Sequence, residues 1–294
     1  MTDFLGPISH SFMSQRTRLH YLDWGNHGAP PLVLVHGGRD HARTWDWTAE
    51  ALRHDYHIIV PDLRGHGDSD WSSDGAYGMA SFVFDLAKLI DDIDVGPVAI
   101  VSHSLGGGIS LRYAGLFPEK VSKLLAVEGI ASLPDEMRVE RTRPLNERLA
   151  RWVEVRRHLS GRPAYRYRSL DEAIARMRQA NGDLTAAQVR HLAVHAVRRN
   201  EDGSFSWKYD PYVRSQTPFV PADVDSGAIW ARITCPVLLA WGRRSWNNTD
   251  PAAAGVVEMF PNARAVGFDG GHWLHHDCFD AFLDRTRRFL ATGD

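Results

Sequence analysis

Short runs of apolar residues recur along the first half of the chain, each followed by polar residues or glycine. They lie within Leu32–Val35, His57–Val60, Val98–Val101 and Lys123–Val127, of which the second and fourth each begin with one polar residue. Apolar runs of three to four residues are typical of parallel strands that are covered on both faces. The pattern therefore predicts four buried strands in this part of the chain.

Amphipathic segments lie between and after these runs. Helices are predicted over Thr44–Leu52, over Met79–Ile93, where apolar residues recur at helical spacing, and over Phe279–Leu290. Two further strands are predicted at Pro236–Gly242 and Ala263–Phe268. Alternating strands and helices favour an α/β fold with a doubly wound, mostly parallel sheet.

The pattern changes between the fourth and fifth predicted strands. Residues 131–200 contain 15 Arg, no Lys and 8 Asp plus Glu, which gives this segment a net charge of +7 and leaves −9 for the rest. Helix starts are predicted at Ser169–Glu172 and Leu184–Gln188, and no strand is expected before Pro236. A solvated helical face explains the arginines most simply, and an anionic substrate is the alternative.

The predicted organisation is one α/β core with a helical insertion. The core comprises residues 1–130 and 226–294, and a helical cap comprises residues 131–225. A length of 294 residues fits one large domain or a core with an insertion.

Composition excludes several classes of protein. A net charge of −2 gives no indication of a nucleic-acid or membrane partner. The N-terminal Met1–Pro7 does not resemble a signal peptide, and no apolar run approaches the roughly 20 residues that span a bilayer. The two cysteines, Cys235 and Cys278, are expected to be free thiols. We therefore expect a cytoplasmic protein, and the sequence does not indicate its oligomeric state.

Ser104 lies in a turn that suits a catalytic nucleophile. The segment Ser102–Gly106 follows a predicted strand and precedes a predicted helix, which is the context of a nucleophile elbow. Ser102 replaces the first glycine of the usual G-x-S-x-G pattern and is expected to pack in the turn. Gly107 and Gly108 are expected to allow close packing of the helix. The alternative is a Ser/Gly-rich turn that only connects two elements.

Four motifs in this order resemble the α/β-hydrolase superfamily. They are His36–Gly38, Pro61–Ser69, Ser102–Gly107 and Gly271–Trp273. The resemblance covers residues from about 15 to 130 and from about 230 to 292, and it points to a serine hydrolase-like member with a helical cap domain. It implies an eight-stranded, mostly parallel sheet flanked by helices.

The resemblance also implies roles for individual residues. Ser104 would attack an acyl carbonyl, and His272 would take and return the proton. The backbone N–H groups of Gly38 and Leu105 would form the oxyanion hole. The substrate would be a small-molecule ester or lactone, and no metal or organic cofactor would be required.

The acid of the expected triad is absent from its usual place. In this superfamily an aspartate commonly lies three residues after the glycine of W-G-x-x-D, and here that position is Ser245. Asp250, later in the same loop, and Glu128, at the end of an earlier strand, are the two replacements. Glu128 is favoured, which predicts a Ser104–His272–Glu128 triad, although Asp250 and the absence of a functional acid both remain open.

The favoured function is hydrolysis of carboxylic esters. A lactonase or a C–C bond hydrolase would use the same residues, and fold alone does not separate them. A ligand-binding protein with little turnover is the rival class, because Ser245 occupies the usual acid position. Asp62 and Arg64 are interpreted as structural. Aromatic residues of the insertion are expected to supply an apolar pocket, although most of them are expected to serve in packing: Trp152, Tyr165, Tyr167, Trp207, Tyr209, Tyr212 and Phe219. Trp45, Trp47 and Trp246 are further candidates for the lining of the same pocket.

Overall fold

The computed structural model describes residues 6–129, 142–160, 164–215, 217–219 and 223–294. The main sheet has eight strands in the order β1-β2-β4-β3-β5-β6-β9-β10. Its strands are β1 (Ile8–Ser14), β2 (Thr17–Asp23), β3 (Pro31–Val35), β4 (His57–Pro61), β5 (Val98–His103), β6 (Val121–Val127), β9 (Val237–Gly242) and β10 (Ala263–Phe268). A separate hairpin contains β7 (Val197–Arg199) and β8 (Phe205–Trp207). Only β1–β2 and β2–β4 pair antiparallel within the main sheet, so the expected mostly parallel eight-stranded sheet is confirmed.

Helices cover both faces of this sheet. The α-helices of the described residues are α1 (Asp46–Leu52), α2 (Met79–Ile93), α3 (Leu105–Leu116), α4 (Leu145–Ser160), α5 (Leu170–Ala180), α6 (Ala186–Ala196), α7 (Asp223–Trp230), α8 (Leu274–Asp277) and α9 (Phe279–Thr292). Short 3₁₀ turns lie at Ala42–Trp45, Pro118–Lys120, Pro211–Arg214 and Val257–Met259. No helix within the described ranges is long and apolar enough to cross a membrane.

The central strands are apolar throughout because both of their faces are buried. Leu32 and Leu34 of β3 belong to one apolar cluster, which also contains residues of α1 and α9. Val33 and Val35 of the same strand belong to a second cluster, with residues of α2 and α3. Successive side chains of a strand point to opposite faces, so a strand between two helical layers requires apolar residues at every position.

The N-terminal hairpin gives no such signal in the sequence. Strand β1 forms an edge of the sheet and most of its residues are exposed; Ile8 retains 61% of its accessible surface. It pairs along its whole length with β2, from Ile8 opposite Asp23 to Ser14 opposite Thr17. Backbone pairing, with little side-chain burial, therefore holds this strand.

The insertion contains the predicted helix starts and one element that was not predicted. Ser169 accepts a hydrogen bond from the amide of Glu172, and Thr185 forms a capping box with Gln188, so both helix starts are confirmed. The expectation that no strand precedes Pro236 is wrong. Strands β7 and β8 have three residues each, which is too short for a periodic signal.

The hairpin of the insertion is held by an aromatic neighbour. Tyr167 pairs with Phe205 through two backbone hydrogen bonds of 2.8 Å, and its hydroxyl accepts a hydrogen bond from Trp207 Nε1 at 2.9 Å. These three residues form a small apolar cluster with Ala173 and Val197. A satellite core of this kind packs the insertion around its own aromatic residues.

Several hydrogen bonds join the insertion to the sheet. The amide of Asp210 donates to the carbonyl of Gly65 at 2.8 Å, and the hydroxyl of Tyr77 donates to Asp210 Oδ2 at 2.5 Å. The predicted cap boundary at residues 225/226 falls inside α7, and the boundary at 130/131 lies outside the described residues. The division into core and cap therefore stays a prediction.

Candidate active site

Ser104 occupies a strained turn between β5 and α3. Its backbone has φ 51° and ψ −114°, a conformation that residues with a Cβ rarely adopt. The amide of Ser104 donates to the carbonyl of Val127 at 2.8 Å, which fixes the turn against the end of β6. The predicted strand–turn–helix context of Ser104 is thus present.

Two glycines allow this turn to lie against its neighbours. A Cβ on Gly106 would lie 2.6 Å from the carbonyl oxygens of Val35 and His36. A Cβ on Gly107 would lie 2.4 Å from the Cα of Gly129, so helix α3 directly contacts the backbone after β6. A Cβ on Gly108 would make only ordinary contacts, at 3.5 Å or more. Of the two glycines that were expected to allow close packing of the helix, Gly107 is therefore the one that does so.

Gly38 and Leu105 face each other across the mouth of the turn. A Cβ on Gly38 would lie 3.8–3.9 Å from the side chain of Leu105, which is the first residue of α3. The first N–H groups of a helix have no partner within the helix. The structure therefore brings together the two residues whose amides were expected to form the oxyanion hole.

His36 fixes the loop that carries Gly38. Its Nδ1 donates to the carbonyl of Gly37 at 2.7 Å, and its Nε2 accepts from the amide of Leu63 at 3.0 Å. Complete burial lowers the pKa of His36 to about 4, although the nearby carboxylate of Asp62 opposes this shift. The neutral imidazole can donate and accept at once, which is what this loop requires.

His272 contacts Glu128 at the edge of the sheet where the parallel strands end. The distance from His272 Nδ1 to Glu128 Oε2 is 3.0 Å. Glu128 follows β6 directly and has a positive φ of 54°, and its side chain is fully buried. The ring of His272 remains partly exposed. A carboxylate on Nδ1 orients the ring and leaves Nε2 to face solvent or a reacting group.

Two further donors hold the carboxylate of Glu128. The amide of Gly242 donates to Oε1 at 2.6 Å, and the hydroxyl of Ser245 donates to Oε2 at 2.6 Å. Hydrogen bonds of this kind offset the cost of burying a carboxylate. Asp250 instead accepts a hydrogen bond from the amide of Ala252 at 2.9 Å. Of the two candidate acids, the structure brings Glu128 to His272.

The rings of His103 and Trp246 flank the ring of His272. His103 precedes Ser104, and its Nε2 lies 2.9 Å from the carbonyl oxygen of His272. The two rings are 4.7 Å apart. On the other side Trp246, which is 59% exposed, has its ring centroid 5.2 Å from that of His272. His272 therefore lies beside the residue that precedes Ser104, with one flank covered by an exposed indole.

Histidines 103 and 275 are neutral side chains of the interior. Burial lowers the pKa of each well below its ordinary value, and the charges of neighbouring histidines, His272 among them, act in the same direction. Burial raises the pKa of Asp40, which lies on the loop after β3, to about 7, although a hydrogen bond from the amide of His41 opposes this shift. The interior next to the nucleophile turn thus disfavours charge.

Asp62 and Arg64 make the structural contacts that were expected of them, but each binds a different set of partners. Asp62 accepts hydrogen bonds from the amides of Ala42 and Asp68 and contacts His20 Nδ1 at 2.7 Å. Arg64 makes a buried two-point ion pair with Asp85, at 2.5 and 2.6 Å. Both residues therefore brace the segment after β4.

A cavity of about 760 Å³ opens beside this site, between the sheet and the insertion. It begins at Gly38 and at Trp273, the neighbour of His272, and it extends along α5 and the β7–β8 hairpin. Besides Trp273, its aromatic lining includes four of the residues that were expected to form a pocket: Tyr165, Tyr167, Trp207 and Tyr209. Trp45 does not line it, because this side chain is completely buried in the core.

Ser245 helps to position the carboxylate of Glu128, but the sequence indicated it only as a position where the usual acid is missing. Ser245 marks the absence of the usual acid, and the structure shows that its hydroxyl instead donates to the carboxylate of Glu128. The signal that could have identified this role is the joint occurrence of a hydroxyl at position 245 and a glutamate at position 128. Gly242 contributes through its amide, which no side-chain pattern reveals.

Comparisons with known proteins identify the fold family of the chain. Esterase Rv0045c of Mycobacterium tuberculosis is 27% identical over 299 residues, covering 98% of this chain and 91% of that protein. Cis-3-alkyl-4-alkyloxetan-2-one decarboxylase of Shewanella oneidensis is 26% identical over 308 residues, covering 99% and 91%. The solved thioesterase domain from the curacin biosynthetic pathway superposes with a TM-score of 0.83 at 20% identity, covering 96% of this chain and 99% of that one. A family model of the alpha/beta hydrolase fold matches residues 30–278, and the chain belongs to this family.

Proposed function

We propose that the protein hydrolyses carboxylic esters through an acyl-enzyme on Ser104. The observation that carries the proposal is the 3.0 Å contact between His272 Nδ1 and Glu128 Oε2, beside the strained turn of Ser104. Three separate strand ends supply a nucleophile, a base and an orienting acid. This is the arrangement that acyl transfer requires.

Acylation follows from the direction of these contacts. Glu128 accepts a hydrogen bond from Nδ1–H of His272, so Nε2 carries a lone pair that takes the hydroxyl proton of Ser104. The serine oxygen then bonds to the acyl carbon, and negative charge develops on the carbonyl oxygen. The amides of Gly38 and Leu105 stabilise that charge, and His272 returns the proton to the departing alcohol.

Deacylation reverses the same proton path. Water takes the place of the alcohol, and His272 removes one of its protons as the oxygen attacks the acyl carbon. The bond between the acyl carbon and Ser104 breaks, the carboxylic acid leaves, and Ser104 regains its proton. Both steps use the side chains and backbone amides of this chain, and the second also uses a water molecule.

The cavity suits an ester with an apolar portion of small to medium size. Its volume of about 760 Å³ and its tyrosine and tryptophan lining match the apolar sites that bind small molecules. The insertion supplies these aromatic residues, so we propose that it acts as the cap that selects substrates. The cap spans residues 131–225 in this proposal.

A fluorophosphonate probe tests the nucleophile directly. We expect stoichiometric labelling of the peptide that contains Ser104, detected by mass spectrometry, and no labelling of Ser104→Ala. An unlabelled wild-type protein with the same fold would favour the rival hypothesis, a ligand-binding protein with little turnover. Turnover of p-nitrophenyl esters of increasing acyl length would then define the preferred acyl group.

Lactones are a second candidate substrate class. The Shewanella oneidensis relative carries an oxetan-2-one in its name, and this group is a four-membered cyclic ester. A serine that opens linear esters can open a strained cyclic ester by the same two steps. Comparison of kcat/KM between lactones and linear esters of equal carbon number would decide between the two.

A further inference from the structure

Three side chains with metal-ligating atoms meet behind the nucleophile turn. Asp40 lies on the loop after β3, His103 ends β5 and His275 lies in α8. One ligand atom from each lies within 4.8 Å of the others. Strands β3 and β5 are neighbours in the sheet, and α8 follows the loop of His272, so the fold itself produces this convergence.

Part of the hydrogen-bonding capacity of the three side chains is unfilled. His103 donates Nε2–H to the carbonyl of His272, which leaves a lone pair on Nδ1, and this atom is buried without a partner among the described residues. Neither ring nitrogen of His275 has a partner there, and the residue is 1% exposed. Asp40 accepts from the amide of His41 through Oδ1, and the hydroxyl of Thr44 lies close enough to its carboxyl group to oppose the rise that burial causes in its pKa, but within the same part of the chain its buried Oδ2 has no hydrogen bond of good geometry.

Such a concentration of unpartnered atoms needs an explanation. A buried polar atom that lacks a hydrogen bond destabilises the folded state, and native structures contain few of them. His275 cannot satisfy itself by rotation, because its ring stacks on Trp45 at 4.4 Å and packs near Phe282. A bound species that accepts lone pairs from all three residues would remove the penalty.

The donor set is that of a zinc site. Two neutral imidazole nitrogens and one carboxylate oxygen are a common three-ligand set for Zn²⁺, with a fourth position left for water. Ligand atoms of a tetrahedral Zn²⁺ site with bonds of about 2.0–2.2 Å lie about 3.4 Å apart. The three atoms, which lie within 4.8 Å of one another, would therefore move closer on binding. The hydrogen bond from His103 Nε2–H to a carbonyl is the kind of contact that orients a ligating histidine.

The cluster also has a route to solvent. Asp40 and its neighbour Gly38 line the cavity of about 760 Å³, so an ion can reach the carboxylate from that side. The three ligands are far apart in sequence, and no spacing motif of the kind that marks zinc sites reveals them.

We propose that Asp40, His103 and His275 bind one divalent transition-metal ion of the Zn²⁺ class. This site is distinct from the Ser104–His272–Glu128 arrangement. It lies next to that arrangement, because His103 precedes Ser104 and holds the carbonyl of His272. A bound ion would fix the ring of His103 and would stabilise the fold.

Zinc binding to the chelator-treated protein tests the proposal. Free Zn²⁺ is titrated in competition with a chromophoric chelator, and unfolding temperatures are measured with and without Zn²⁺. We expect one tight site in the wild type and a higher unfolding temperature when it is filled. In His275→Phe, which keeps a ring against Trp45, and in Asp40→Asn, we expect affinity to fall roughly 10-fold or more. Co²⁺ in the wild type should give visible absorption that is absent in His275→Phe.

Two control variants separate this site from other histidines. His195→Phe removes a histidine of a different cluster on the insertion, and His272→Gln removes the proposed base; both should keep the tight site. Equal zinc affinity in wild type, His275→Phe and Asp40→Asn would overturn the proposal, and ordered water would then explain the cluster. Loss of the tight site in His272→Gln alone would also overturn it. Circular dichroism of the metal-free variants checks that each is folded.

Discussion

The hydroxyl of Ser245 lies 2.6 Å from Oε2 of Glu128, the same oxygen that contacts His272 Nδ1. The residue that replaces the usual acid is therefore joined to the carboxylate that contacts the histidine. Glu128 reaches this point from β6, and Ser245 reaches it from the loop after β9, the neighbouring strand. Two neighbouring strand ends therefore meet at the carboxylate that contacts His272.

Replacing Glu128 with glutamine should abolish most of the ester turnover. The amide would retain the size of the side chain but could not stabilise the imidazolium of His272, so we expect kcat to fall roughly 10³- to 10⁴-fold. Steady-state kinetics on a p-nitrophenyl ester measures this. Asp250→Asn is the matched control and should retain wild-type kcat. Near-wild-type turnover of Glu128→Gln would remove Glu128 from the mechanism.

Moving the acid back to position 245 should restore part of that loss. Ser245 Oγ already lies at hydrogen-bond distance from the oxygen that His272 contacts, so an aspartate there places a carboxylate close to Nδ1. We expect Glu128→Gln/Ser245→Asp to exceed Glu128→Gln in kcat at least about 10-fold, because a carboxylate again orients and stabilises the imidazolium. Ser245→Asp alone should be less active than wild type, since two carboxylates would then crowd one site. A double variant no faster than Glu128→Gln contradicts this geometry.

Much of this site could be predicted from the sequence because its parts are local. The apolar strand, the glycines and the serine of Ser102–Gly106 are close together in the chain, and each strand end is visible as a change from apolar to polar. The contact of Glu128 with His272 joins residues 144 positions apart. The sequence could favour Glu128 only by its place at a strand end, and the pairing of β6 with β9 and of β9 with β10, which precedes His272, supplies the rest.

Backbone strain at Ser104 should appear as lost stability. With φ 51° and ψ −114°, a residue with a Cβ incurs a cost of roughly 1–3 kcal/mol that glycine avoids. Ser104→Gly and Ser104→Ala both lack the hydroxyl, so their difference reports the strain less the roughly 0.4–1 kcal/mol that the freer unfolded chain of glycine costs. We expect Ser104→Gly to have the larger free energy of unfolding by about 1 kcal/mol in urea titrations. A Ser104→Gly variant that is less stable than Ser104→Ala by about 0.4–1 kcal/mol, the entropic cost of glycine alone, would mean that the turn is not strained in solution.

Other features were not accessible from the sequence because they depend on packing between distant segments. Strands β7 and β8 are too short to show a period, and they form where Tyr167 pairs with Phe205. The cluster of Asp40, His103 and His275 depends on three segments meeting at one edge of the sheet. Its residues have no common spacing, so only the three-dimensional arrangement relates them.

Buried neutral histidines should make the fold sensitive to mild acid. Burial lowers the pKa of His66 to about 3, with the charge of His36 acting in the same direction. A histidine in the unfolded chain has a pKa of about 6.5, so below that pH the unfolded state binds protons that the folded state excludes. Stability is therefore fully present above about pH 6.5 and is lost as pH falls toward 3, by about 2 kcal/mol per such histidine at pH 5.

His66→Phe tests this prediction at a single ring. His66 donates Nδ1–H to the carbonyl of Arg64 at 2.9 Å, and its Nε2 is buried without a partner in the described part of the chain, so phenylalanine removes one hydrogen bond and one titrating group. The free energy of unfolding should fall less between pH 7 and pH 5 in the variant than in the wild type, by about 2 kcal/mol. Between pH 8 and pH 7, where little histidine titrates, the two proteins should change in parallel. If both lose the same stability between pH 7 and pH 5, His66 takes up its proton in the folded state as readily as in the unfolded chain.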